Sequence, residues 1–280
     1  AALKAAAAQK AWKNAASQTG NLSELHLTLG RVDEAIAFAE RSVEYADQSK
    51  NAAERMIMRT ALANALCQAG RLDQAEERFQ EAEAMQKDDQ PEYPLLYSLR
   101  GYQYCDLLLE RGRHEEVLKR AAKMFEWRVP GDPLLDIGLD HLSFARAALQ
   151  AAESGHGEAL SHAQTAVDTL RQARQQDDLP RGLLGRAEVH RTAGDLAAAR
   201  GDLDEAMAIA TCDPAGQMKL HETDCHLGLA RLAFDAGDSR QGREHVSAAE
   251  RLIEETGYHR RDAELARLRE LDACGGESRY

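Results

Sequence analysis

The sequence predicts an all-α fold, an α-solenoid in which helix-turn-helix pairs stack along one array. A short phrase centred on glycine returns along the chain, at Gly30, Gly70, Gly112, Gly155, Gly194 and Gly237. These glycines lie 40, 42, 43, 39 and 43 residues apart, a period typical of stacked helix pairs. Good helix formers such as Ala, Leu, Glu, Arg and Gln dominate the intervening segments.

The second unit shows how the residues specify one pair. Its first helix has apolar or small residues at helical spacing: Met56, Ala63, Leu66 and Ala69. Gly70 ends this helix, because glycine adopts the left-handed conformation without a Cβ clash. Asp73 follows in the first turn of the next helix, where a carboxylate suits the free N–H groups and the dipole. The inner face of that second helix is Leu72, Ala75, Phe79 and Ala82.

The same phasing predicts helices along the whole chain. Their expected ranges are 2–18, 21–29, 31–48, 51–69, 72–87, 92–111, 114–127, 134–153, 157–175, 180–193, 196–210, 215–236, 239–255 and 260–273. We expect one array over 1–280 with about six units, at 21–48, 51–87, 92–127, 134–175, 180–210 and 215–255. A flanking helix at 2–18 precedes them, and a capping helix at 260–273, which carries a polar face with Arg260 and Arg261, closes the array.

Composition narrows the function classes. A formal net charge of -12 opposes general binding to nucleic acid. There is no apolar run of about 18 residues, so we expect no membrane span. The 5 cysteines have no framework spacing, which favours reduced thiols and a cytoplasmic protein. Because the chain starts without Met or a signal-peptide layout, we expect it to be a piece of a longer protein.

Motifs for chemistry are absent or weak, so we expect no catalytic residues, no cofactor and no metal. Neither a Gly-x-x-x-x-Gly-Lys-Ser/Thr loop nor a Gly-x-Gly-x-x-Gly loop occurs. His221 and Cys225 share a helix face at i and i+4, as zinc ligands do, but a packed cysteine with surface imidazoles is the favoured interpretation. Asp140 and His141 are adjacent, point to different faces, and do not make a triad.

Tyrosines form a cluster at the third unit: Tyr93, Tyr97, Tyr102 and Tyr104. Tyr97 and Tyr104 are seven residues apart, which favours a place between helices. We expect Tyr93 and Tyr102 to be more exposed. Packing in the core is favoured over stacking on a ligand for the group as a whole.

The residues of these units resemble a known family, the tetratricopeptide repeat. The second unit carries most of the pattern: Leu62, Ala63, Leu66, Gly70, Leu72, Ala75, Phe79 and Ala82. It departs from the pattern at Arg59, where the family has Trp, and at Lys87, where the family has Pro. The period is also longer than the usual repeat of about 34 residues.

The longer period resembles the repeats of MalT-like regulators and of other STAND-type signalling ATPases of bacteria. Three phrases resemble the C-terminal arrays of such proteins, at 91–99, 135–141 and 253–261. The resemblance implies a right-handed superhelix with the first helices on its concave face. It also implies upstream effector and nucleotide-binding domains, and a repeat array that senses a trigger or holds those domains inactive.

Counting from the turn glycines places candidate partner-binding residues on the concave face. They are Asn64, Tyr102, Asp106, Arg146, Arg181, Glu188, Arg191 and Arg231. Because arginine forks recognise carboxylates, we hypothesise a groove for an acidic peptide or a partner loop. The alternative, which remains equally open, is that these arginines form ion pairs within the chain, with Glu188, Asp224 and neighbouring acids. Two other functions remain open: a freestanding scaffold or co-chaperone array, and a small-molecule sensor of the MalT-like kind.

Overall fold

The fold is known from a computed structural model that describes residues 11–151, 156–174, 177–212 and 217–276. Within these ranges every regular element is helical, and the all-α prediction is confirmed. The α-helices are α1 (Trp12–Thr28), α2 (Val32–Ser49), α3 (Ala52–Gln68), α4 (Leu72–Asp89), α5 (Ser98–Glu110), α6 (His114–Trp127), α7 (Leu134–Ala151), α8 (His156–Ala173), α9 (Leu179–Thr192), α10 (Leu196–Thr211), α11 (Lys219–Asp235), α12 (Ser239–Thr256) and α13 (Asp262–Gly276). A short 3₁₀ turn, His259–Arg261, precedes α13.

The chain divides into two compact units. Unit 1 runs to Leu107 and also takes up a short distant segment, Thr256–Arg260. Unit 2 consists of Leu108–Glu255 together with the chain from Arg261. Consecutive helices pack on one another, α1 on α2 and α3 on α4 in unit 1, and α7 on α8 and α9 on α10 in unit 2. In the described part of the chain, no helix combines the length and apolar character that a bilayer crossing requires.

The recurring glycines end the first helix of each pair as predicted. Gly70 has a φ of +74°. Its N–H donates to Cys67 O at 3.0 Å, and Arg71 N–H donates to Leu66 O at 2.9 Å. These two bonds form a Schellman motif, which satisfies carbonyls that the helix leaves free. The same pair of bonds recurs at Gly30, Gly112, Gly194 and Gly237, all with positive φ. The degenerate copy at Gly155 lies outside the described residues.

The predicted break near residue 19 was wrong, because α1 runs without interruption from Trp12 to Thr28. Gly20 lies inside this helix and is buried. A Cβ at this position would come within 2.7 Å of Met58 Sδ. A larger residue here would require the Met58 side chain to move, and Gly20 does not end a helix.

Predicted inner faces are confirmed. In unit 1, Ala75, Phe79 and Ala82 are fully buried, and the Phe79 ring stacks on Tyr104 with centroids 4.9 Å apart. In unit 2, Ala159 and Ala163 of α8 pack with α7 and α9 in one buried cluster. Alanine at these positions lets neighbouring helices approach closely.

The helix predicted at 92–111 begins later than expected, at Ser98 and not at residue 92. Two prolines open this stretch and disfavour helix. Side chains of α4 form hydrogen bonds with the backbone of the segment between α4 and α5. Leu96 N–H donates to Glu83 Oε2 at 3.0 Å, and Gln86 Nε2 donates to Tyr93 O at 3.0 Å. These bonds stabilise a non-helical connection.

Two turn glycines provide a matched pair for a stability prediction. Gly70→Ala is expected to lower the free energy of unfolding by about 2 kcal/mol, and Gly194→Ala by about 1 kcal/mol. Both residues have positive φ, but a Cβ on Gly70 would also lie 3.1 Å from the carbonyl carbon and oxygen of His259. At Gly194 no described atom lies within 4 Å of such a Cβ.

Urea unfolding of the two variants measures this difference. Equal losses for Gly70→Ala and Gly194→Ala would show that the backbone of His259 does not press on the Gly70 turn.

Candidate partner-binding surface

In unit 1 the predicted residues lie on the first helices, α3 and α5. Asn64 of α3 is half-buried, and its Oδ1 accepts a hydrogen bond from Gln68 Nε2 at 2.9 Å. Tyr102 is buried, so the expectation that it is exposed was wrong. Asp106 of α5 binds the guanidinium of Arg260, a residue 154 positions later in the chain.

The Arg260 guanidinium lies in a set of acceptors that we call the Arg260 site, formed by Gln68, the Asp106 carboxylate and the Asp106 carbonyl. Arg260 Nη1 contacts Asp106 Oδ2 and lies 3.5 Å from Gln68 Oε1, while Nη2 lies 3.4 Å from Asp106 O. Its side chain is only 2% exposed, against 14% for Asp106. A charge this buried needs such partners, because desolvation alone is unfavourable.

A tight bend at Gly257 directs the segment that carries Arg260 into unit 1. Gly257 has a φ of +73°, and His259 N–H donates to Gly257 O at 2.8 Å. Tyr258 between them is buried. The His259 backbone then passes against Gly70, at a position where a Cβ would be too close.

The prediction of a polar face on a capping helix from residue 260 is corrected by these contacts. Arg260 belongs to the 3₁₀ turn and is buried, and α13 begins only at Asp262. The sequence contained a signal for this segment that was not recognised: Gly257 follows α12, and Arg260 comes two residues after Tyr258.

In unit 2 the predicted arginines pair with acids of their own chain. Arg191 donates to both Glu188 carboxylate oxygens at 2.8 and 3.0 Å, and to Asp235 at 2.5 Å. Arg231 lies 3.7 Å from Glu188 and 3.1 Å from Glu264. This ion-pair network links α9, α11 and α13.

The network controls the protonation of Glu188. Burial favours the neutral acid, but the hydrogen bonds from Arg191 and the charges of Arg231 and Arg191 outweigh it and lower the pKa of Glu188. The hydrogen bond to Glu188 in turn raises the pKa of Arg191. Glu188 and Arg191 are therefore both charged at neutral pH.

The remaining predicted arginines lie at other places in unit 2. Arg181 contacts Asp178 at 3.3 Å within the first turn of α9. Arg146 of α7 is half-buried beside Gly185 of α9. The binding role of all eight candidate residues stays a prediction.

A second arginine of the C-terminal stretch, Arg261, also binds acids. Within unit 2, Arg261 Nε donates to Asp224 at 2.7 Å, and its Nη1 lies 3.7 Å from Glu110 and 3.5 Å from Glu264. Asp224 was among the acids expected as partners, although for other arginines.

The weak metal motif on α11 is partly to fully buried. Cys225 is fully buried, and burial raises the pKa of its thiol. Burial also lowers the pKa of His221 to about 4. Among the described residues, no group of three His, Cys, Asp or Glu side chains is arranged to hold a metal ion.

Two close histidine pairs of unit 2 were not foreseen. His141 Nδ1 and His162 Nδ1 are 2.9 Å apart between α7 and α8, and His226 Nδ1 and His245 Nδ1 are 2.9 Å apart between α11 and α12. His162 and His245 each occupy the seventh position of their helix. The histidine pair occurs twice because the helix pairs repeat. In the sequence, histidines at the same position of two repeats indicate it.

Helix pairs of this kind are typical of tetratricopeptide-type arrays. Residues 14–88 match one model of the tetratricopeptide repeat, and residues 180–201 and 224–248 match another. The predicted tetratricopeptide-like repeats are therefore confirmed over these stretches. Comparison with curated proteins gives no match.

Solved structures similar to the chain include the following two. One is a STAND (signal transduction ATPase with numerous domains) protein with a tetratricopeptide repeat sensor from Pyrococcus horikoshii, with a TM-score of 0.55 and 15% identity over 89% of this chain and 37% of that chain. The other is a Rap protein complexed with Competence and Sporulation Factor, with a TM-score of 0.57 and 15% identity over 89% of this chain and 72% of that chain. At these identities the likeness shows the fold, and in this sense the predicted resemblance to a STAND repeat region is confirmed.

Proposed function

We propose that the chain is a non-catalytic protein-interaction module, the C-terminal sensor or autoinhibitory array of a bacterial multidomain signalling ATPase in the cytoplasm. One observation carries the proposal: the first helices of unit 1 already hold, by a buried arginine, a short segment of polypeptide, Thr256–Arg260, that contains a glycine bend and part of a 3₁₀ turn. The Rap structure, solved with a factor bound, and the STAND protein with its repeat sensor support the same kind of role.

In this function the array recognises a protein or peptide trigger through residues of its first helices. A trigger changes the state of the upstream domains only if it binds the active arrangement better than the resting one. Contacts that the resting chain makes with itself, such as those of Arg191 and Arg231, then compete with the trigger. An acidic trigger at these arginines has to replace Glu188, Asp235 or Glu264.

The test uses the full-length gene product and its rate of ATP hydrolysis. Removing the array is expected to raise the basal rate several-fold and to abolish the response to the trigger. Arg240→Ala provides the control, since this arginine of α12 is 83% exposed and pairs with Glu244 only at 3.7 Å. We expect it to leave both properties unchanged.

An unchanged basal rate and trigger response after removal of the array would contradict the sensor role. A full-length product without any nucleotide-binding module would contradict the ATPase assignment and favour a freestanding scaffold. A small molecule that raises the thermal stability of the array, when no protein does, would favour the ligand-sensor alternative.

A further inference from the structure

We infer that the Arg260 site of unit 1 is a receptor for an arginine side chain, and that Arg260 occupies it as an internal stand-in for an arginine-bearing segment of a protein partner. The inference rests on the proposed function and specifies the chemistry of one binding site in it. It differs from the acidic partner predicted from the sequence, because the recognising groups here are acceptors.

The geometry of the acceptors carries the first step. Gln68 belongs to α3 and Asp106 to α5, so two different repeat units contribute oxygen atoms to one guanidinium. Acceptors around both Nη1 and Nη2 match the planar fork of arginine, and a lysine ammonium cannot reach the same set. The site is therefore selective for arginine among cationic side chains.

The way Arg260 arrives carries the second step. Among the described residues beyond Leu107, only Thr256–Arg260 belongs to unit 1. It enters as a glycine bend and a 3₁₀ turn, and not as a helix that packs by its apolar face. A separate peptide with a tyrosine and an arginine in the same order presents the same groups to unit 1.

The turn at Gly70 carries the third step. The repeat motif supplies this glycine to end α3, yet the absence of a Cβ is also what lets the His259 backbone approach. At Gly112, Gly194 and Gly237 no described atom comes within 4 Å of the corresponding position. Of these four turn glycines, only Gly70 both ends a helix and lies against the backbone of a distant segment.

Competition follows from these contacts. While Arg260 is in place, the site is closed to a partner, and an arriving arginine segment has to displace Thr256–Arg260. Displacement frees the connection between α12 and α13. The partner's binding energy is thereby coupled to a local change in the chain.

The experiment uses the whole chain and a labelled five-residue peptide that copies residues 256–260, with binding followed by fluorescence anisotropy. Arg260→Gln empties the site of its guanidinium, and we expect this variant to bind the peptide at least about tenfold more tightly than the wild-type chain does. A peptide with glutamine in place of its arginine is the matched control and is expected not to bind.

Asp106→Asn combined with Arg260→Gln tests the receptor side, and we expect it to lose the gain. A gain that survives Asp106→Asn, or equal binding by wild type and Arg260→Gln, would overturn the inference. If Arg260→Gln does not fold, hydrogen exchange of the wild-type amides of Tyr258–Arg260 replaces it. Faster exchange is expected with the arginine peptide only, and no difference between the two peptides overturns the inference.

These outcomes are independent of ATP hydrolysis. A failed peptide test with an intact effect of array removal rejects the arginine receptor and keeps the sensor role. The reverse result rejects the sensor role and leaves a repeat protein with an arginine site.

Discussion

Arg186→Ala is expected to lower the free energy of unfolding by about 3–5 kcal/mol, as the loss of one member of a buried ion pair does. Arg186 of α9 binds Asp202 of α10 through Nε at 2.9 Å and Nη2 at 2.6 Å. The side chains are only 12% and 8% exposed. Without the arginine, the Asp202 carboxylate is left buried without this bidentate partner.

The surroundings of Arg186 strengthen the expectation. The hydrogen bonds to Asp202, followed by nearby acidic charges, raise the pKa of Arg186 despite its burial. Its Nη1 also donates to Gln164 Oε1 of α8 at 2.8 Å. One side chain therefore joins three consecutive helices of unit 2.

Arg200→Ala is the matched control for urea unfolding. Arg200 contacts Asp204 at 2.8 Å one turn apart on α10, and both side chains are about half exposed, at 46% and 55%. Its removal is expected to cost about 0.5 kcal/mol, because solvent screens an exposed pair. Similar losses in the two variants would contradict the special role of the buried pair.

The second large effect is a fall in stability on acidification that depends on His226. Burial, with the charges of His245 and Arg251, lowers the pKa of His226 to about 4, and burial also lowers that of His245. In the unfolded chain a histidine has a pKa of about 6.5. Between about pH 4 and 6.5 the unfolded state therefore binds more protons, so the free energy of unfolding falls as the pH falls.

For His226 alone, the loss between pH 7 and pH 5 is expected to be about 2 kcal/mol. His226→Gln keeps a polar side chain but does not titrate, so its stability should depend less on pH. Urea unfolding at both pH values measures the difference. An unchanged pH dependence in His226→Gln would contradict the assignment to this pair.

The other histidine pair is an internal comparison. Burial lowers the pKa of His141 to about 4, but burial also raises the pKa of the adjacent Asp140 to about 7. Because the folded state binds the Asp140 proton more readily, Asp140 makes the free energy of unfolding rise as the pH falls from about 7 to 4. His141 makes it fall. We expect His141→Gln to change the net pH dependence in the same direction as His226→Gln. In the wild-type chain we expect the gain from Asp140 to offset part of the acid loss from His141.

Much of the fold could be predicted because its signals are local. The glycine phrase ends a helix wherever it stands, and the Schellman bonds at Gly70 and Gly194 span only a few residues. The spacing of Ala75, Phe79 and Ala82 specified a buried face that the structure confirms. The break between 2–18 and 21–29 was wrongly predicted, because a glycine inside a helix, such as Gly20 beside Met58, looks in sequence like one that ends a helix.

The binding surface could be predicted only in part. Counting from the turn glycines placed Asp106, Glu188 and Arg231 on first helices, but it could not show which charges face one another. The pair of Arg260 and Asp106 joins positions 154 residues apart. Arg260 is as compatible with an exposed helix face as with a buried site, so its local context does not distinguish them.

The sequence by itself determined the helix pairs, their turns and their inner faces, because helix caps and apolar periodicity act over one or two turns of chain. Only the tertiary structure decided that the Arg260 site is occupied from within. Burial of a guanidinium depends on acceptors supplied by distant helices, and a charge is buried only where such acceptors meet. The glycine at position 70 serves both levels: it ends α3 locally and admits the His259 backbone from far along the chain.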